Sequence, residues 1–432
     1  MKLQTKFKTV TLFPIYNKEF IPEDWSIDKI NHLVQIIDYR GRTPPISDKG
    51  IIHLRSNNIR NGRINFDDMT YVSEKTYDQY MTRGIPQEND VLFTTEGPLG
   101  EVALVPKDFK FSLAQRIILL RPKSNILLSQ FLKWILLDRK VRTRYFGLST
   151  GTTLEGIASK WFTKLFIPYP RDLREQQKIA SILSCIDELI QKIEQIIEQT
   201  QILKKGLMQR LLTKGIRHTK FRKTELGEIP EEWELKRLGD YVNIISGEYF
   251  AYSEFSDTGI PVLKIDNVMY GHIDWTTRTY LNKEYLNSHS HLILREGDIV
   301  LALNRPITNN QVKVGILGKD DSPSILYQRV GKFEFQLDSL KNNFFMIYLS
   351  SEIFKKLLSK VLIGSDQPYV KTTELKRQKI AFPSTVEQNK ISSLVTPLIK
   401  DIEKKQLCTI HLKNLKKGLM QQLLTGKIRV KV

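Results

Sequence analysis

The side chains of this chain that could contact a ligand through specific chemistry are arginines, lysines and amides, gathered in short loops. In the first half, six of them fall within nine residues: Arg55, Asn57, Asn58, Arg60, Asn61 and Arg63. Arg and Asn are the side chains that hydrogen-bond in pairs to the major-groove edges of guanine and adenine. For any one residue a solvated turn is an equally good interpretation. The cluster predicts DNA contacts by Arg55, Asn57, Asn58, Arg60 and Arg63.

Three loops of the second half have the same character. Their predicted DNA contacts are Lys264, Asn267 and Tyr270 in the first, Asn304, Arg305, Asn310, Gln311 and Lys313 in the second, and Gln367, Tyr369 and Lys371 in the third. The counterparts of the second and third loops in the first half are Thr95-Glu96-Gly97-Pro98 and Thr152-Thr153-Leu154-Glu155. The segment Thr95-Glu96-Gly97-Pro98 is acidic, which argues against a DNA contact at this loop. Because the loop contents differ, each half is predicted to recognise a different short sequence.

No motif of a self-contained enzyme accompanies these loops. The chain has no G-x-G and no G-x-x-x-x-G-K, so dinucleotide, S-adenosylmethionine and P-loop signatures are missing from the sequence. Seven histidines and two cysteines show no metal-ligand spacing. Asp366-Gln367-Pro368-Tyr369 resembles the D/N-P-P-Y loop of amino-methyltransferases, but Gln367 departs from it. We therefore expect a non-catalytic chain without a bound cofactor or metal.

Composition supports a polyanionic partner. The 432 residues carry a formal net charge of +19, with 66 Lys and Arg against 47 Asp and Glu. Such an excess favours binding to nucleic acid. Two cysteines cannot form a disulfide framework, and no apolar run has the length of a membrane span or signal peptide. A cytoplasmic protein without membrane contact is expected.

One long unit occurs twice in the chain. LKKGLMQRLLT at 203–213 returns as LKKGLMQQLLT at 415–425, and IPEDW at 21–25 returns as IPEEW at 229–233. EQQKIAS at 175–181 likewise matches EQNKISS at 387–393. Matched segments predict one task performed twice, and the differing segments between them predict two separate tasks.

Apolar residues at alternating steps of three and four predict a long helix at the end of the first unit, and the second unit is predicted to end in a similar helix whose apolar stripe is interrupted at Asp401 and Lys405. The predicted helix–helix contacts are Ile182, Ile186, Leu189, Ile193, Ile196, Leu203 and Leu207, with Leu394, Leu398, Leu412, Leu415 and Leu419. Since the first helix leads into the second half and the second leaves it, an antiparallel coiled coil needs no further connection. The alternative is that each stripe packs against its own domain.

The predicted fold is α+β: two mixed α/β domains in a pseudo-two-fold repeat, separated by two long helices. Short runs rich in β-branched residues predict strands, and helices are predicted at 128–145 and 342–360. The predicted boundaries are a first domain at 1–171, a first helix at 172–215, a second domain at 216–383 and a second helix at 384–432.

The matched segments resemble those of the specificity (S) subunits of type I restriction–modification systems. The resemblance rests on the IPE-D/E-W entries with Trp25 and Trp233, the GDIVLALN strand, the GSDQPYV loop and the KKGLMQ-x-LLT tails. It covers essentially the whole chain. The first half departs from the pattern, because GTTLEGIAS at 151–159 stands where the second half has GSDQPYVKT.

This resemblance implies two target-recognition domains that each bind half of a bipartite site in double-stranded DNA. It also implies that the helices dock two methyltransferase (M) subunits, which methylate adenine, and that restriction/translocase (R) subunits join the complex. S-adenosylmethionine, ATP and magnesium would then be bound by those partners. A self-sufficient DNA methyltransferase and a coiled-coil scaffold that binds no DNA remain the alternative functions.

Overall fold

The structure is a computed structural model that describes residues 6–12, 17–149, 155–337 and 340–432. It divides into two compact units. The first unit comprises Met1–Glu194 and Leu407–Val432, and the second comprises Gln195–Gln406. Each unit contains its own β-sheets and a portion of each of two long helices, so the predicted mixed α/β class is confirmed.

The first unit is built on a four-stranded antiparallel sheet. Its strands in spatial order are Val102–Leu104, Val91–Thr94, Ile117–Pro122 and Val34–Asp38. A three-stranded sheet of Phe111–Leu113, Ile51–Leu54 and Thr70–Val72 accompanies it. Two-stranded ribbons are Phe7–Leu12 with Asn17–Pro22, Trp25–Lys29 with Phe166–Pro170, and Ile59–Arg60 with Arg63–Ile64. The helices are Ile30–Leu33, Glu74–Tyr80, Ser129–Leu137, Arg139–Phe146 and Ser159–Phe162.

The four-stranded sheet lies between two hydrophobic cores. Val91 and Phe93 belong to the core that includes the helices, whereas Leu92 and Leu119 belong to the core shared with the three-stranded sheet. Successive side chains of a strand point to opposite faces, so a strand buried on both faces must be apolar throughout. This explains why these strands are continuous apolar runs rather than alternating ones.

The second unit repeats this plan with more strands. One five-stranded sheet contains, in order, Val242–Ser246, Val330–Phe335, Ile299–Ala302, Val314–Ile316 and Tyr270–Gly271. The other contains Phe255–Ser256, Tyr280–Leu281, Ile260–Leu263, Ser324–Leu326 and Ile293–Leu294. Ribbons pair Phe221–Thr224 with Gly227–Pro230, Glu234–Arg237 with Lys379–Phe382, Ile307–Thr308 with Gln311–Val312, and Leu362–Ile363 with Tyr369–Val370. Its helices are Tyr285–Ser288, Asn342–Leu349, Glu352–Lys360 and Thr372–Arg377.

Each of the shorter helices predicted at 128–145 and 342–360 is interrupted. In the first unit, Asp138 leaves the helical conformation with ψ of 138°, and its side chain accepts hydrogen bonds from the backbone N–H groups of Lys140 and Val141. Ser351 caps the second helix of the other pair by accepting from Phe354 N. These short polar side chains accept hydrogen bonds from the unpaired backbone N–H groups at a helix N-terminus. A new helix therefore begins after each of them, and each predicted helix is divided into two.

The two long helices span Leu173–Lys214 and Thr385–Leu423. In the first unit, Lys413 pairs with Glu194 and Lys416 with Asp187, so ascending positions on one helix meet descending positions on the other. In the second unit, Leu211 packs in one core with Ile391. There, Lys204 lies close enough to Glu403 to interact electrostatically. The helix portions are therefore antiparallel within each unit, as predicted.

The predicted helix–helix positions require a correction of about one residue. Leu189, Ile196, Leu203, Leu394 and Leu415 are exposed. The buried positions of the first helix in the first unit include Leu183, Asp187 and Ile190, each one residue beyond Ile182, Ile186 and Leu189. Apolar residues occupy two adjacent rows of this helix, so its three–four repeat fits either register. The buried row also contains a charged residue, Asp187, which an apolar pattern cannot identify.

The remaining predicted positions are intermediate in exposure: Ile182, Ile186, Ile193, Leu207, Leu398, Leu412 and Leu419. Ile182 and Leu419 pack against the core of the first unit, and Leu207 packs against that of the second. The helices thus contact the globular bodies as well as each other, so both interpretations of the stripes hold in part.

Candidate nucleic-acid interface

Side-chain hydrogen bonds join the first and second predicted loops of the second unit. The hydroxyl of Tyr270 lies 2.8 Å from Oγ1 of Thr308, and Nδ2 of Asn309 donates to the same hydroxyl at 3.0 Å. Nζ of Lys313 donates to the carbonyl of Ile265 at 2.8 Å. Residues about 40 positions apart in sequence therefore form one continuous surface.

Backbone hydrogen bonds attach the third loop to the second. Arg305 N donates to Pro368 O at 2.7 Å, and Val370 N donates to Leu303 O at 2.7 Å. Asn304 and Tyr369 form an antiparallel bridge. We call residues 264–272, 304–313 and 367–371 together the second-unit loop surface. The structure brings the three predicted loops of this unit together.

Most predicted contacts in the second and third of these loops are accessible. Arg305, Asn310, Gln311, Gln367, Tyr369 and Lys371 are exposed, and Asn304, Tyr270 and Lys313 are half-buried. The Asn310 side chain is partly engaged, because Lys355 donates to its Oδ1 at 2.9 Å. Lys264 lies with Nζ 4.5 Å from the ring centre of Phe255, in cation–π geometry. This surface therefore presents cationic and amide groups to solvent.

Asn58 of the first unit and Asn267 of the second are buried side chains that stabilise their own loops. This finding corrects the prediction that they contact DNA. They are only 2% and 3% exposed. Oδ1 of Asn58 accepts from Arg55 N at 3.1 Å, and Oδ1 of Asn267 accepts from Lys264 N at 3.0 Å. Each Nδ2 donates to a carbonyl further along the same loop, that of Asp67 in the first unit. Their amides hold the loops closed and cannot reach a base.

The arginines predicted as contacts in the first unit are engaged within the protein. Arg63 donates to the carboxylate and the carbonyl of Asp187, both at 3.0 Å. Arg55 pairs with Asp68 at 3.1 Å, and Arg60 donates to the carbonyl of Ile59 at 2.9 Å. Asn57 is exposed. Arg63 thus anchors its loop to the first long helix, whereas Asn57 remains accessible to a ligand.

Asp187 lies at the centre of a charged cluster beneath this loop. Burial works to raise its pKa, yet hydrogen bonds and charges from Lys416 and Arg63 outweigh burial and lower it. Burial lowers the pKa of nearby Lys133 to about 8, opposed by the charge of Asp187 and reinforced by the positive charges of Lys416 and Arg63. The cluster joins the loop, the Ser129–Leu137 helix and both long helices within the first unit.

The loops of the first unit are connected by backbone contacts like those of the second. Ser56 Oγ donates to Gly97 O at 2.9 Å, which attaches the Arg55–Arg63 loop to the acidic loop. Ile157 N donates to Thr95 O at 2.9 Å, and Glu96 forms an antiparallel bridge with Gly156. Of the third predicted loop here, residues 152–154 lie outside the described residues.

Sequence reasoning missed two tyrosines and an arginine near the second-unit loop surface. Tyr252 is 90% exposed and Tyr249 is 65% exposed. Gln328 N donates to Glu248 O at 2.9 Å, and the carbonyl of exposed Arg329 accepts from Leu303 N at 2.8 Å. The tyrosines lie between repeat anchors, in a stretch whose contents differ between the two halves. This difference between the two halves could have indicated these residues in the sequence.

The described residues include neither a metal-binding cluster nor a membrane-spanning helix. Among those residues, no group of three or more His, Cys, Asp or Glu is arranged to hold a metal ion. No helix in the same part of the chain is long and apolar enough to cross a membrane.

Comparison with known proteins identifies related sequences over nearly the whole chain. The model of the type I restriction modification DNA specificity domain matches residues 22–201 and 230–412. The MjaVIII type I restriction enzyme specificity subunit of Methanocaldococcus jannaschii is 39% identical over 419 residues, covering 95% of this chain and 94% of the relative. The EcoKI specificity subunit of Escherichia coli is 23% identical, covering 94% and 90%. The solved S subunit from M. genitalium has a TM-score of 0.59 at 18% identity, covering 92% and 96%.

Proposed function

Because this chain belongs to the family of type I restriction modification DNA specificity proteins, we propose that its two units each bind one half of a bipartite site in double-stranded DNA. The chain is the specificity subunit of such a system, the non-catalytic component that recognises DNA. Proposed target-recognition domains are residues 1–171 and 216–383, with spacer helices at 172–215 and 384–432. In this proposal the loops recognise the DNA site, and other subunits of the complex carry the enzymatic activities.

The convergence of three loops in the second unit supports this proposal most strongly. Exposed Arg305, Gln311 and Lys371 lie on loops joined by hydrogen bonds, on a chain with net charge +19. Arg and amide side chains supply paired hydrogen bonds to base edges, and Lys supplies charge toward phosphates. Tyr249 and Tyr252 of the same unit are exposed aromatic side chains and are further candidates for DNA contact. We assign the second half-site to the second-unit loop surface.

The repeated helix ends support a partner that binds twice. Leu203 and Leu415 occupy the same position of the repeated segment and are 58% and 51% exposed. Exposed apolar side chains at matching positions offer one surface in two copies. We propose that each copy docks one methyltransferase (M) subunit and that restriction/translocase (R) subunits join the complex. In this proposal the partners bind S-adenosylmethionine, ATP and magnesium, and the complex acts in the cytoplasm.

A domain exchange tests the assignment of one half-site to each unit. Residues 219–380 would be replaced by the equivalent segment of another family member, and the hybrid expressed with its methyltransferase. Single-molecule methylome sequencing of the host reads both half-sites and the spacer together. One half-site should change while the other half-site and the spacer are retained. A change in both half-sites would contradict independent recognition, and methyl transfer by the purified chain alone would favour the self-sufficient enzyme.

A further inference from the structure

Glu96 of the first unit and Asn304 of the second occupy the same backbone position. Each follows a residue whose carbonyl accepts a hydrogen bond from the third loop of its unit. Thr95 O accepts from Ile157 N at 2.9 Å, and Leu303 O accepts from Val370 N at 2.7 Å. The equivalence therefore rests on hydrogen bonding rather than on sequence, which differs between these loops.

The neighbouring residues extend this equivalence. Thr95 N donates to Arg116 O at 2.9 Å, and Leu303 N donates to Arg329 O at 2.8 Å. The residues that follow Glu96 and Asn304 are Gly97 and Arg305, with positive φ of 47° and 45°. The backbone therefore follows the same course through residues 95–97 and 303–305, which places the side chains of Glu96 and Asn304 at equivalent positions in their units.

The two side chains at this position have different hydrogen-bonding capacity. Asn304 offers a donor and an acceptor, the combination that pairs with adenine. Glu96 offers only acceptors when ionised, and a carboxylate can accept from the amino group of cytosine in the major groove. To recognise two different half-sites, the two units need different side chains at equivalent positions, and Glu96 and Asn304 differ in this way.

Arg116 gives the Glu96 carboxylate a fixed orientation. Its Nε lies 2.9 Å from Oε1 of Glu96, and both side chains are about two-fifths exposed, at 43% and 39%. The ion pair also offsets the repulsion between a carboxylate and the DNA backbone. Glu96 is therefore an accessible carboxylate that is paired with Arg116 on the acidic loop.

Most of the predicted DNA contacts in the Arg55–Arg63 loop of the first unit are engaged within the protein. Asn58 is buried, Arg63 is bonded to Asp187 and Arg55 to Asp68. We propose that Glu96 is a specificity-determining residue of the first half-site, accepting a hydrogen bond from a cytosine amino group, with Arg116 as its positioning residue. The proposal reverses the expectation that the acidic loop avoids DNA, and it rests on the proposed function of DNA recognition.

Two substitutions test this: Glu96→Ala removes both acceptor oxygens, and Glu96→Gln replaces one of them by a donor in a side chain of the same shape. The full chain would be assayed with its methyltransferase partner, by methylome sequencing and by binding to duplexes of the wild-type site. Affinity for that site should fall about fivefold or more in both variants, since one base contact contributes roughly 1–3 kcal/mol. One position of the first half-site should lose its preference for cytosine, and the second half-site and spacer should stay unchanged.

Matched variants separate this role from a structural one. Glu88→Gln removes an exposed carboxylate from a turn of the same unit outside the loops and should leave the recognised site unchanged. Arg116→Ala should relax the same base position as Glu96→Gln, and Arg116→Lys should partly restore it. Should the Glu96 variants fail to fold, Arg116→Ala alone tests the role of Glu96, and Asn304→Asp extends the test to the equivalent position of the second unit, where one position of the second half-site should change.

Two results would overturn the proposal. An unchanged first half-site in folded Glu96→Ala and Glu96→Gln would exclude base recognition by this residue. Stronger binding to all duplexes alike would show that Glu96 merely repels the backbone. If the wild-type complex itself recognised no bipartite site, the proposed function would fail as well, so the two failures are distinguishable.

Discussion

The guanidinium of Arg63 donates a hydrogen bond to the carboxylate of Asp187 at 3.0 Å, joining a loop at the candidate interface to the first long helix. Lys416 of the second long helix pairs with the same carboxylate. One buried acid thus holds three segments of the first unit together. Arg63 is part of the architecture that supports recognition rather than a free contact for DNA.

We predict that Asp187→Asn destabilises the first unit at neutral pH. Asparagine would leave the charges of Arg63 and Lys416 unmatched, and hydrogen bonds to charged groups contribute about 1.5–3 kcal/mol each. The pKa of Asp187 is below its ordinary value of 3.8 in the folded state. Its contribution is therefore complete above pH 3.8 and is lost as pH falls through the lower folded pKa.

Urea unfolding of wild type and Asp187→Asn at pH 7 and near pH 3 measures this effect. The difference in free energy of unfolding should be large at pH 7 and shrink in acid. Glu188→Gln, at the exposed neighbouring position, is the matched control and should change stability little. Equal stability of wild type and Asp187→Asn at pH 7 would contradict the role of the cluster.

Asn57 and Asn58 should respond oppositely to substitution by alanine. Asn58→Ala removes two hydrogen bonds from a buried loop and should lower the free energy of unfolding by about 1–3 kcal/mol. Asn57→Ala should leave stability within about 0.5 kcal/mol of wild type, because Asn57 is exposed. If Asn57 contacts DNA, its substitution should weaken binding to the first half-site. Thermal unfolding and duplex titration measure the two effects separately, and a stable Asn58→Ala protein would refute the scaffold role.

Arg305→Gly should weaken DNA binding at little cost in stability. Arg305 has a φ of 45°, and left-handed backbone costs an L-residue about 1–2 kcal/mol. Glycine relieves that strain in the folded protein. Glycine also makes the unfolded chain more flexible, which lowers the free energy of unfolding by roughly 0.4–1 kcal/mol and offsets part of the gain. Affinity for the second half-site should fall about tenfold or more if Arg305 contacts a base.

The control for this substitution is Asp108→Gly. Asp108 has a φ of 53° in an exposed turn of the first unit, so the same strain is relieved away from the second-unit loop surface. Its binding to the second half-site should match wild type. Retention of full affinity by Arg305→Gly would remove Arg305 from the proposed contacts.

The length of the long helices should set the spacer between the half-sites. Seven residues would be inserted after Glu194 in the first helix and seven before Leu407 in the second. The insertion adds about 10 Å at 1.5 Å per residue, or about three base pairs at 3.4 Å each. A heptad preserves the facing rows of a coiled coil, so both half-sites should remain unchanged while the spacer lengthens.

Methylome sequencing reads out that change directly. A three-residue insertion in each helix is the control, because it rotates the facing rows and should impair recognition altogether. A changed half-site with an unchanged spacer would show that the helices do not set the distance.

The sequence by itself determined the organisation of this protein. The repeat of 203–213 at 415–425 and the three–four apolar spacing indicated two mixed α/β domains and two long helices. The first helix was predicted at 172–215 and spans Leu173–Lys214. Such features are local or periodic, so residue types along the chain are sufficient to indicate them.

Only the tertiary structure decided which polar residues face a ligand. Asn57 and Asn58 are the same residue type at adjacent positions, yet one is exposed and the other bonds to the backbone of its own loop. Arg63 finds its partner 124 residues away, on a helix whose buried row lies one residue from the predicted one. Burial and pairing depend on which distant segments pack together, and residue type and spacing do not specify that.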